Sequence, residues 1–195
     1  MAAQAEIFDT LKPHRSYGYH LHTKQEIRAD LPNRKRMENT VQHNSAAVRA
    51  GLVTTTEERE AIFALRMIVF VEEQNVPPEE ELDAYDITAA HFLASTEQGE
   101  IIGTARLLDK GEGTGKIGRV AVLKAWRGRG TGALLMNAVE RHARELGYRR
   151  LILDAQCYAI PFYAKLGYIV EGGIFLDANI EHRFMTKTLQ GNHSE

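Results

Sequence analysis

The sequence is short of cysteine, of long apolar runs and of net charge, and each shortage excludes a class of protein. Cys157 is the single cysteine, which excludes an internal disulfide and a cysteine-based zinc site. No stretch reaches the roughly 18 apolar residues of a membrane-spanning helix, and residues 1–20 lack the apolar segment of a secretory signal. The formal net charge of −2 gives no support for nucleic-acid binding. We therefore expect a cytoplasmic protein that contacts neither membranes nor nucleic acid.

The length of 195 residues suits one domain with a short appendage. Residues 1–45 show no sustained apolar periodicity, which predicts a flexible or loosely docked N-terminal extension. We expect an ordered domain over residues 46–190 and a short tail over 191–195. His20 and His22 have the spacing of a metal-binding pair but no third ligand nearby, so we expect no metal.

Periodicity and turn residues predict an α+β fold with the element order β-α-βββ-α-β-α-ββ. Thr54 and Glu57 have the spacing of a capping box, and the helix that follows must stop before Pro77. A strand–helix–strand crossover over 116–155 predicts one parallel pair in a mostly antiparallel central sheet with helices on both faces. The strands are expected at 46–53, 90–96, 100–108, 116–123, 150–155, from 168 onward and at 183–189, and the helices at 56–71, 130–146 and 159–166.

A glycine-rich turn lies between the predicted fourth strand and the long helix. Its glycines let backbone N–H groups point inward, and the helix that follows adds the positive end of its dipole. Such a turn can hold a pyrophosphate, although many similar turns are plain connections, and its two arginines favour the anion site. Neither a Walker loop nor a dinucleotide-binding fingerprint has this spacing. The residues of the turn are Arg127, Gly128, Arg129, Gly130, Thr131 and Gly132.

A second pattern lies in the short predicted helix after the next strand. Tyr163 by itself could be an ordinary core residue. Here it follows a pyrophosphate-type turn, a helix and a strand, and this layout is typical of an acyl-CoA transferase. Cys157 is interpreted as a structural residue, because a thiol nucleophile would need a positioned base beside it.

With these two patterns, residues 117–168 resemble the core of the GNAT superfamily of acetyl-CoA-dependent N-acetyltransferases. The family motif Gln/Arg-x-x-Gly-x-Gly/Ala is matched by Arg127, Gly130 and Gly132. The later motif Asn-x-x-Ala-x-x-Phe-Tyr-x-x-x-Gly-Phe/Tyr is matched by Ala159, Phe162, Tyr163, Gly167 and Tyr168. Gln156 departs from the asparagine of that motif, because it keeps the amide but is one methylene longer.

Within the superfamily the chain looks closest to the small ElaA-like branch, over most of residues 47–189. The similar positions are Arg66, Val69, Phe70, Val71, Glu73, Gln74, Asn75, Glu81, Asp83, Asp86, His91, Ala105, Arg106, Gly118, Arg119, Val120, Ala121, Val122, Ala155 and Gln156. Near the end of the chain, Ile180 and His182 match a Gly-Ile-Pro-His stretch of that branch.

The resemblance implies a GNAT-type fold and direct attack of an amine on the thioester of acetyl-CoA, without an acyl-enzyme. It implies that Tyr163 is the general acid for the CoA thiolate. The residues that it implies for CoA binding are Val120, Ala121, Val122, Arg127, Gly128, Arg129, Gly130, Thr131, Gly132 and Gln156. A Gly130→Asp change is then expected to block CoA binding with little cost to the fold, provided that Gly130 does not need a positive φ.

The general base is left open by the sequence. Many relatives place a glutamate on the strand before the turn, where this chain has Arg119, which cannot accept a proton. The acidic run over 79–86 either attracts a cationic amine or forms a solvated loop. The candidates for the base or for substrate binding are Glu73, Asp83, His91 and His182.

These features predict an N-acetyltransferase that moves the acetyl group of acetyl-CoA, its cosubstrate, to a primary amine of a small molecule in a ternary complex. Three alternatives stay open. One is a non-catalytic acyl-CoA-binding or sensing module, and another is a protein-directed acetyltransferase acting on lysine or N-terminal amines. The third is a phosphate-ligand protein unrelated to CoA. The sequence does not fix the acceptor, and it leaves a homodimer open.

Overall fold

A computed structural model describes residues 47–189, so the predicted N-terminal extension and tail lie outside the described residues. The strands are β1 Val48–Leu52, β2 Ala90–Thr96, β3 Ile101–Asp109, β4 Thr114–Val122, β5 Arg150–Gln156, β6 Ile169–Asp177 and β7 Ile180–Thr188. The helices are α1 Thr56–Arg66, α2 Pro78–Glu81, α3 Thr131–Glu145 and α4 Ile160–Lys165. Among these described helices, none is long and apolar enough to cross a membrane.

The described strands form one sheet in the order β1-β2-β3-β4-β5-β7-β6. Strands β4 and β5 run parallel, from Thr114 opposite Arg150 to Ile117 opposite Leu153. The other neighbours in the sheet are antiparallel. A parallel pair needs a crossover connection, which α3 provides. The predicted α+β class, element order and single parallel pair are confirmed.

The two faces of the sheet have different covers, as β3 illustrates. Successive side chains of a strand point to opposite faces, so Leu107 and its neighbour Arg106 face opposite sides. Leu107 belongs to the main apolar core, together with Leu135 and Val139 of α3. Arg106 instead hydrogen-bonds Asp86, which also accepts from a residue of α1. Helices therefore flank both faces of the sheet, as predicted.

Helix α1 begins at the predicted residue but differs from its prediction in its capping box and in where the α-helix ends. The capping box lies one residue later, because Thr55 Oγ1 accepts from the Glu58 N–H at 3.1 Å and the Glu58 carboxylate accepts from the Thr55 N–H at 3.2 Å. Three consecutive threonines before two glutamates allow either register, so spacing alone could not choose. At the other end α1 stops at Arg66, and the chain continues as a π-helix over Met67–Glu72. The helical segment covers the predicted residues, but its second part is a π-helix rather than an α-helix.

Candidate active site

An opening lies between β4 and β5, beyond the point where these parallel strands stop pairing. Their register ends at Ile117 opposite Leu153. Strand β4 then carries one extra residue relative to β3, and Arg119 in this bulge has a φ of 51°. On its other edge β5 pairs with β7 along its whole length, from Arg150 opposite Thr188 to Gln156 opposite His182. The facing edges of β4 and β5 thus border a gap that neither strand fills.

A cavity of about 360 Å³ lies at this opening, which is large enough for a small ligand. One wall is the open edge of β4 and β5, and another is the segment from α2 through the short turn Ala84–Ile87. The predicted site residues that line it are Asp83, Val120, Gln156, Tyr163 and His182. The predicted site residues that lie outside it are Glu73, His91, Ala121, Val122 and those of the glycine-rich turn. Within residues 47–189, no three His, Cys, Asp or Glu side chains are grouped closely enough to hold a metal ion.

The glycine-rich turn leads into the first turn of α3 and carries a row of unpaired backbone amides. In the part of the chain that the structure describes, no group accepts a hydrogen bond from the N–H groups of Gly128 through Ala133. Gly128 and Gly130 have φ values of 73° and 85°, and this left-handed conformation lets successive N–H groups form a concave nest. Unpaired amides at a helix N-terminus form a site suited to an anion such as a pyrophosphate.

The two arginines of the turn are held by neighbouring groups. Arg127 Nε donates to the Val122 carbonyl at 2.8 Å, and the guanidinium pairs with the Glu73 carboxylate at 2.7 Å. The Arg129 guanidinium lies over the ring of Trp126, 5.4 Å from its centroid. Both arginines are solvent-exposed. Arg129 adds positive charge beside the unpaired amides, whereas Glu73 offsets the charge of Arg127.

The small cost to the fold expected for Gly130→Asp depended on Gly130 not needing a positive φ. Gly130 has a positive φ, so that expectation is wrong. An aspartate in the left-handed region is strained, because its Cβ approaches the backbone. A loss of CoA binding would then be mixed with a loss of stability. Ala133 has ordinary helical backbone in the same first turn of α3, so it can accept a charged side chain without this strain.

Tyr163 lies on α4 and lines the cavity with only 8% of its surface exposed. Its ring packs edge-on against Phe162 at 4.9 Å and Tyr168 at 6.0 Å, measured between ring centroids. Burial raises the pKa of Tyr163 above that of an ordinary phenol. The hydroxyl therefore carries its proton at neutral pH, and burial makes it a weaker acid than a free phenol.

Gln156 ends β5, and its Nε2 donates to Oε1 of Gln74 at 2.8 Å. Gln74 follows the π-helix, so this pair spans the opening from the sheet to the helical side. Both side chains line the cavity. The methylene that Gln156 has in excess of the family's asparagine gives it the reach for this contact.

His182 is the base candidate that both lines the cavity and has a ring nitrogen with a free lone pair. Strand β7 begins at Ile180, three residues before the predicted start at 183, and therefore includes His182. Its Nδ1 lies 2.8 Å from the carbonyl oxygen of Ile180. Because a carbonyl can only accept, this contact assigns the proton to Nδ1 and leaves a lone pair on Nε2. The ring stacks on Phe175 at 5.9 Å, which holds its plane at the cavity.

His91 and Asp83 are less available as bases. His91 is buried away from the cavity with Nε2 2.9 Å from the Asp86 carbonyl, and burial lowers the pKa of its imidazole. Asp83 lines the cavity but accepts from Arg106 at 2.8 and 3.0 Å. Burial alone would raise the pKa of Asp83, but the hydrogen bonds from Arg106 bring it below the ordinary carboxyl value. A carboxylate held in this way is a weak proton acceptor.

The acidic run forms a buried ionic network, so both sequence-based expectations are wrong for Glu81 and Asp86. Both side chains are buried, and the fully buried Arg66 of α1 bonds them at 2.6 Å and 2.7 Å, respectively. Burial would raise the pKa of Asp86, but hydrogen bonds from Arg66 and Arg106 hold it well below its usual range. Arg119 reaches from the β4 bulge to Glu81 at 3.1 Å. Three arginines therefore neutralise this wall of the cavity.

Sequence reasoning gave no role to the arginines of this network. Arg106 stands between Ala105 and Leu107 in an otherwise apolar strand, and Arg66 lies one turn after the buried Ile62 in α1. An arginine at an apolar position of the periodic pattern indicates that a carboxylate is buried with it, because an unpaired buried charge is strongly destabilising. That signal could have connected the two arginines with the acidic run.

Comparison with known proteins gives consistent matches over the described domain. Residues 53–189 match the family described as Acetyltransferase (GNAT) domain. The uncharacterized N-acetyltransferase YjcF of Bacillus subtilis is 38% identical over 141 residues, which cover 72% of this chain and 99% of that protein. An acyl-CoA N-acyltransferase from Pseudomonas aeruginosa has a TM-score of 0.64 at 31% identity, covering 73% of this chain and 99% of the other. Escherichia coli ElaA has a TM-score of 0.64 at 27% identity, with the same coverage of 73% and 99%.

Proposed function

The chain belongs to the GNAT family of acetyltransferases and is an acyltransferase, and from this premise we propose that it transfers the acetyl group of acetyl-CoA to the primary amine of a small molecule. The observation that carries the proposal is a row of unpaired amides beyond the end of β4 together with a buried phenol in the cavity that β4 borders. Unpaired amides from Gly128 through Ala133 follow the end of β4, and Tyr163 lines the cavity between β4 and β5. An acyl-CoA requires an anion site for its diphosphate and a proton donor for its departing thiolate.

The residues present fit CoA on grounds of charge and hydrogen bonding. A diphosphate needs N–H donors and positive charge, which the amides of the turn and the exposed Arg129 provide, with Arg127 held nearby by Glu73. The amides of a pantetheine arm need partners at the edge of β4, near Val120, and at the side chain of Gln156. Acetyl-CoA, when bound, supplies an activated thioester that an amine can attack.

Two proton transfers accompany direct attack by an amine: one from the amine and one to the departing thiolate. We assign the first to His182, whose Nε2 lone pair acts directly or through one water. An imidazole suits this role because its unprotonated ring nitrogen can accept a proton from the amine. We assign the second to Tyr163, whose phenol lines the cavity and carries a proton at neutral pH. The pairings of Glu73 with Arg127 and of Asp83 with Arg106 argue against a base at either carboxylate.

Replacing His182 by asparagine is expected to lower kcat/KM about a hundredfold at neutral pH, because the amide can still donate to the Ile180 carbonyl but cannot accept the amine proton. The measurement is steady-state kcat/KM at neutral pH, with His142→Asn on α3 as the matched control outside the cavity. A His182→Asn variant with parental kcat/KM would remove His182 from the mechanism.

The proposed activity is tested by CoA-thiol release with acetyl-CoA and a panel of primary amines. We expect amine-dependent release and an N-acetyl product, with intersecting double-reciprocal plots, because both substrates must be bound together. Parallel plots would indicate an acyl-enzyme and contradict direct attack. Tight acetyl-CoA binding with no turnover on any amine of the panel would favour the non-catalytic acyl-CoA-binding module instead. Turnover on peptide lysines or N-terminal amines alone would favour the protein-directed enzyme.

A further inference from the structure

Most of the charged side chains that line the cavity neutralise one another. Each of three basic groups lies within 4.0 Å of a carboxylate, and the three ion pairs join different elements of the fold. They are Arg106–Asp83 at 2.8 Å, Arg119–Glu81 at 3.1 Å and Lys116–Asp154 at 2.6 Å. These pairs contribute little net charge to the space that an acceptor would occupy.

Three charged residues of the cavity differ from the rest. Within residues 47–189, no group of opposite charge lies within 4.0 Å of Lys110, Glu80 or Asp177. Among the described residues that line the cavity, Lys110 is the one cation with no carboxylate within 4.0 Å. Its ammonium lies 5.3 Å from the centre of the Tyr85 ring, and Tyr85 also lines the cavity. Both side chains are exposed, and this cation–π contact places the ammonium beside the cavity wall.

The sheet register places Lys110 and the base candidate at opposite ends of the cavity. The Lys110 N–H donates to the Thr114 carbonyl, and Thr114 pairs with Arg150 at the start of β5. His182 pairs with Gln156 at the far end of β5. Because a strand rises about 3.3 Å per residue, the two backbone levels are roughly 20 Å apart. The flexible side chain of Lys110 shortens the distance that a ligand must span.

Asp177 lies at the same end as His182. Asp177 pairs with Ile180 at the tip of the β6–β7 hairpin. Ile180 lies two residues before His182 in β7. An unpaired carboxylate at this end attracts the ammonium form of an acceptor toward the place where its proton is removed. Among these three residues, Asp177 places negative charge near the proposed reactive end and Lys110 places positive charge at the remote end, while Glu80 lies beside Arg119 of the β4 bulge.

We propose that the natural acceptor is an elongated amine that carries an anionic group at its far end, and that Lys110 binds this group. The proposal rests on the proposed acetyltransferase function and names the class of acceptor for the same site. A diamine or polyamine would bring a second ammonium group against Lys110, where no carboxylate lies within ion-pair distance among the described residues. A carboxylate or a phosphate would instead find an ammonium partner there.

The test compares three acceptors of similar length with different far ends: ω-aminooctanoate, octylamine and α,ω-diaminooctane. We expect the parent enzyme to show the highest kcat/KM with the aminocarboxylate and the lowest with the diamine. Lys110→Glu is expected to lower kcat/KM for ω-aminooctanoate about tenfold and to reverse the order of the charged acceptors. Arg141→Glu, an exposed cation of α3 outside the cavity, makes the same charge change and should leave the order unchanged.

Two outcomes overturn the inference without touching the proposed function. One is a parent enzyme that acetylates the diamine at least as well as the aminocarboxylate. The other is a Lys110→Glu variant whose order of preference equals that of the Arg141→Glu control. Failure of the proposed function looks different, because acetyl-CoA would then release no thiol with any of the three amines. The thermal melting temperature of both variants, measured with and without CoA, verifies that each is folded and binds CoA.

Discussion

Replacing Ala133 by glutamate is expected to abolish acetyl-CoA binding and to leave the fold at least as stable as before. Ala133 lies in the first turn of α3, where an acidic side chain interacts favourably with the helix dipole by about 0.3–1 kcal/mol. The same carboxylate would lie beside the unpaired amides from Gly128 through Ala133 and repel a diphosphate. Loss of these contacts together with the repulsion should weaken binding more than about a hundredfold.

The opposite signs of the two effects make this variant informative. Calorimetric titration with CoA measures the binding, and thermal unfolding without ligand measures the stability. Ala133→Gln has nearly the same shape without the charge, so it separates repulsion from crowding and should retain more affinity than Ala133→Glu. Parent-like CoA affinity in Ala133→Glu would show that the diphosphate binds elsewhere. The assignment of the whole turn would then fail.

Replacing Tyr163 by phenylalanine is expected to lower kcat about a hundredfold while leaving the affinity for acetyl-CoA nearly unchanged. The phenol acts only when the thiolate departs, so its loss removes an interaction of the transition state rather than of the bound substrate. The fold should not suffer, because no group in the described part of the chain depends on the hydroxyl for a hydrogen bond, and the ring contacts with Phe162 and Tyr168 persist.

Steady-state kinetics and CoA titration together measure this separation of kcat from affinity. Tyr168→Phe is the matched control, because it removes a second buried phenol hydroxyl from a ring in contact with Tyr163. We expect a near-parental kcat from that control. A Tyr163→Phe variant that retains full kcat would exclude Tyr163 as the proton donor and favour a water or another group in that role.

The order of the elements could be predicted from the sequence because its signals are local. Gly99 has a positive φ in the turn between β2 and β3, as the hairpin pattern requires, and the long helix predicted at 130–146 is α3 at Thr131–Glu145. The position of β7 between β5 and β6 has no such signal. Strand order depends on which edge a returning chain reaches, and this is settled by packing of the whole sheet rather than by neighbouring residues.

The candidate site likewise has local features that the sequence could predict and long-range contacts that it could not. The glycine-rich turn and Tyr163 lie within short contiguous motifs, and the resemblance to the GNAT family that they carry is confirmed. The roles of individual residues stay predictions. The base candidates could not be ranked from sequence, because each is distinguished by a partner from another part of the fold. Asp83 meets Arg106 of β3, whereas His91 is buried away from the cavity.

The ionic network has a consequence for the order in which the protein folds and opens. The segment over 78–87 exposes its larger apolar side chains, Leu82, Tyr85 and Ile87. It is attached mainly through arginines of α1 and of the sheet that lie 15 to 39 residues away in sequence. We expect the contacts with the sheet arginines to form late in folding, because they are long-range. Because Asp83 and Asp86 have lowered pKa values in the folded state, their share of this attachment is complete above their ordinary carboxyl range and is lost as the pH falls through the lowered values. Burial raises the pKa of Glu81, so that carboxyl acts in the opposite direction. Because two of the three carboxyls lose their charge only at low pH, we expect this wall of the cavity to detach in acid before the apolar core of the sheet unfolds.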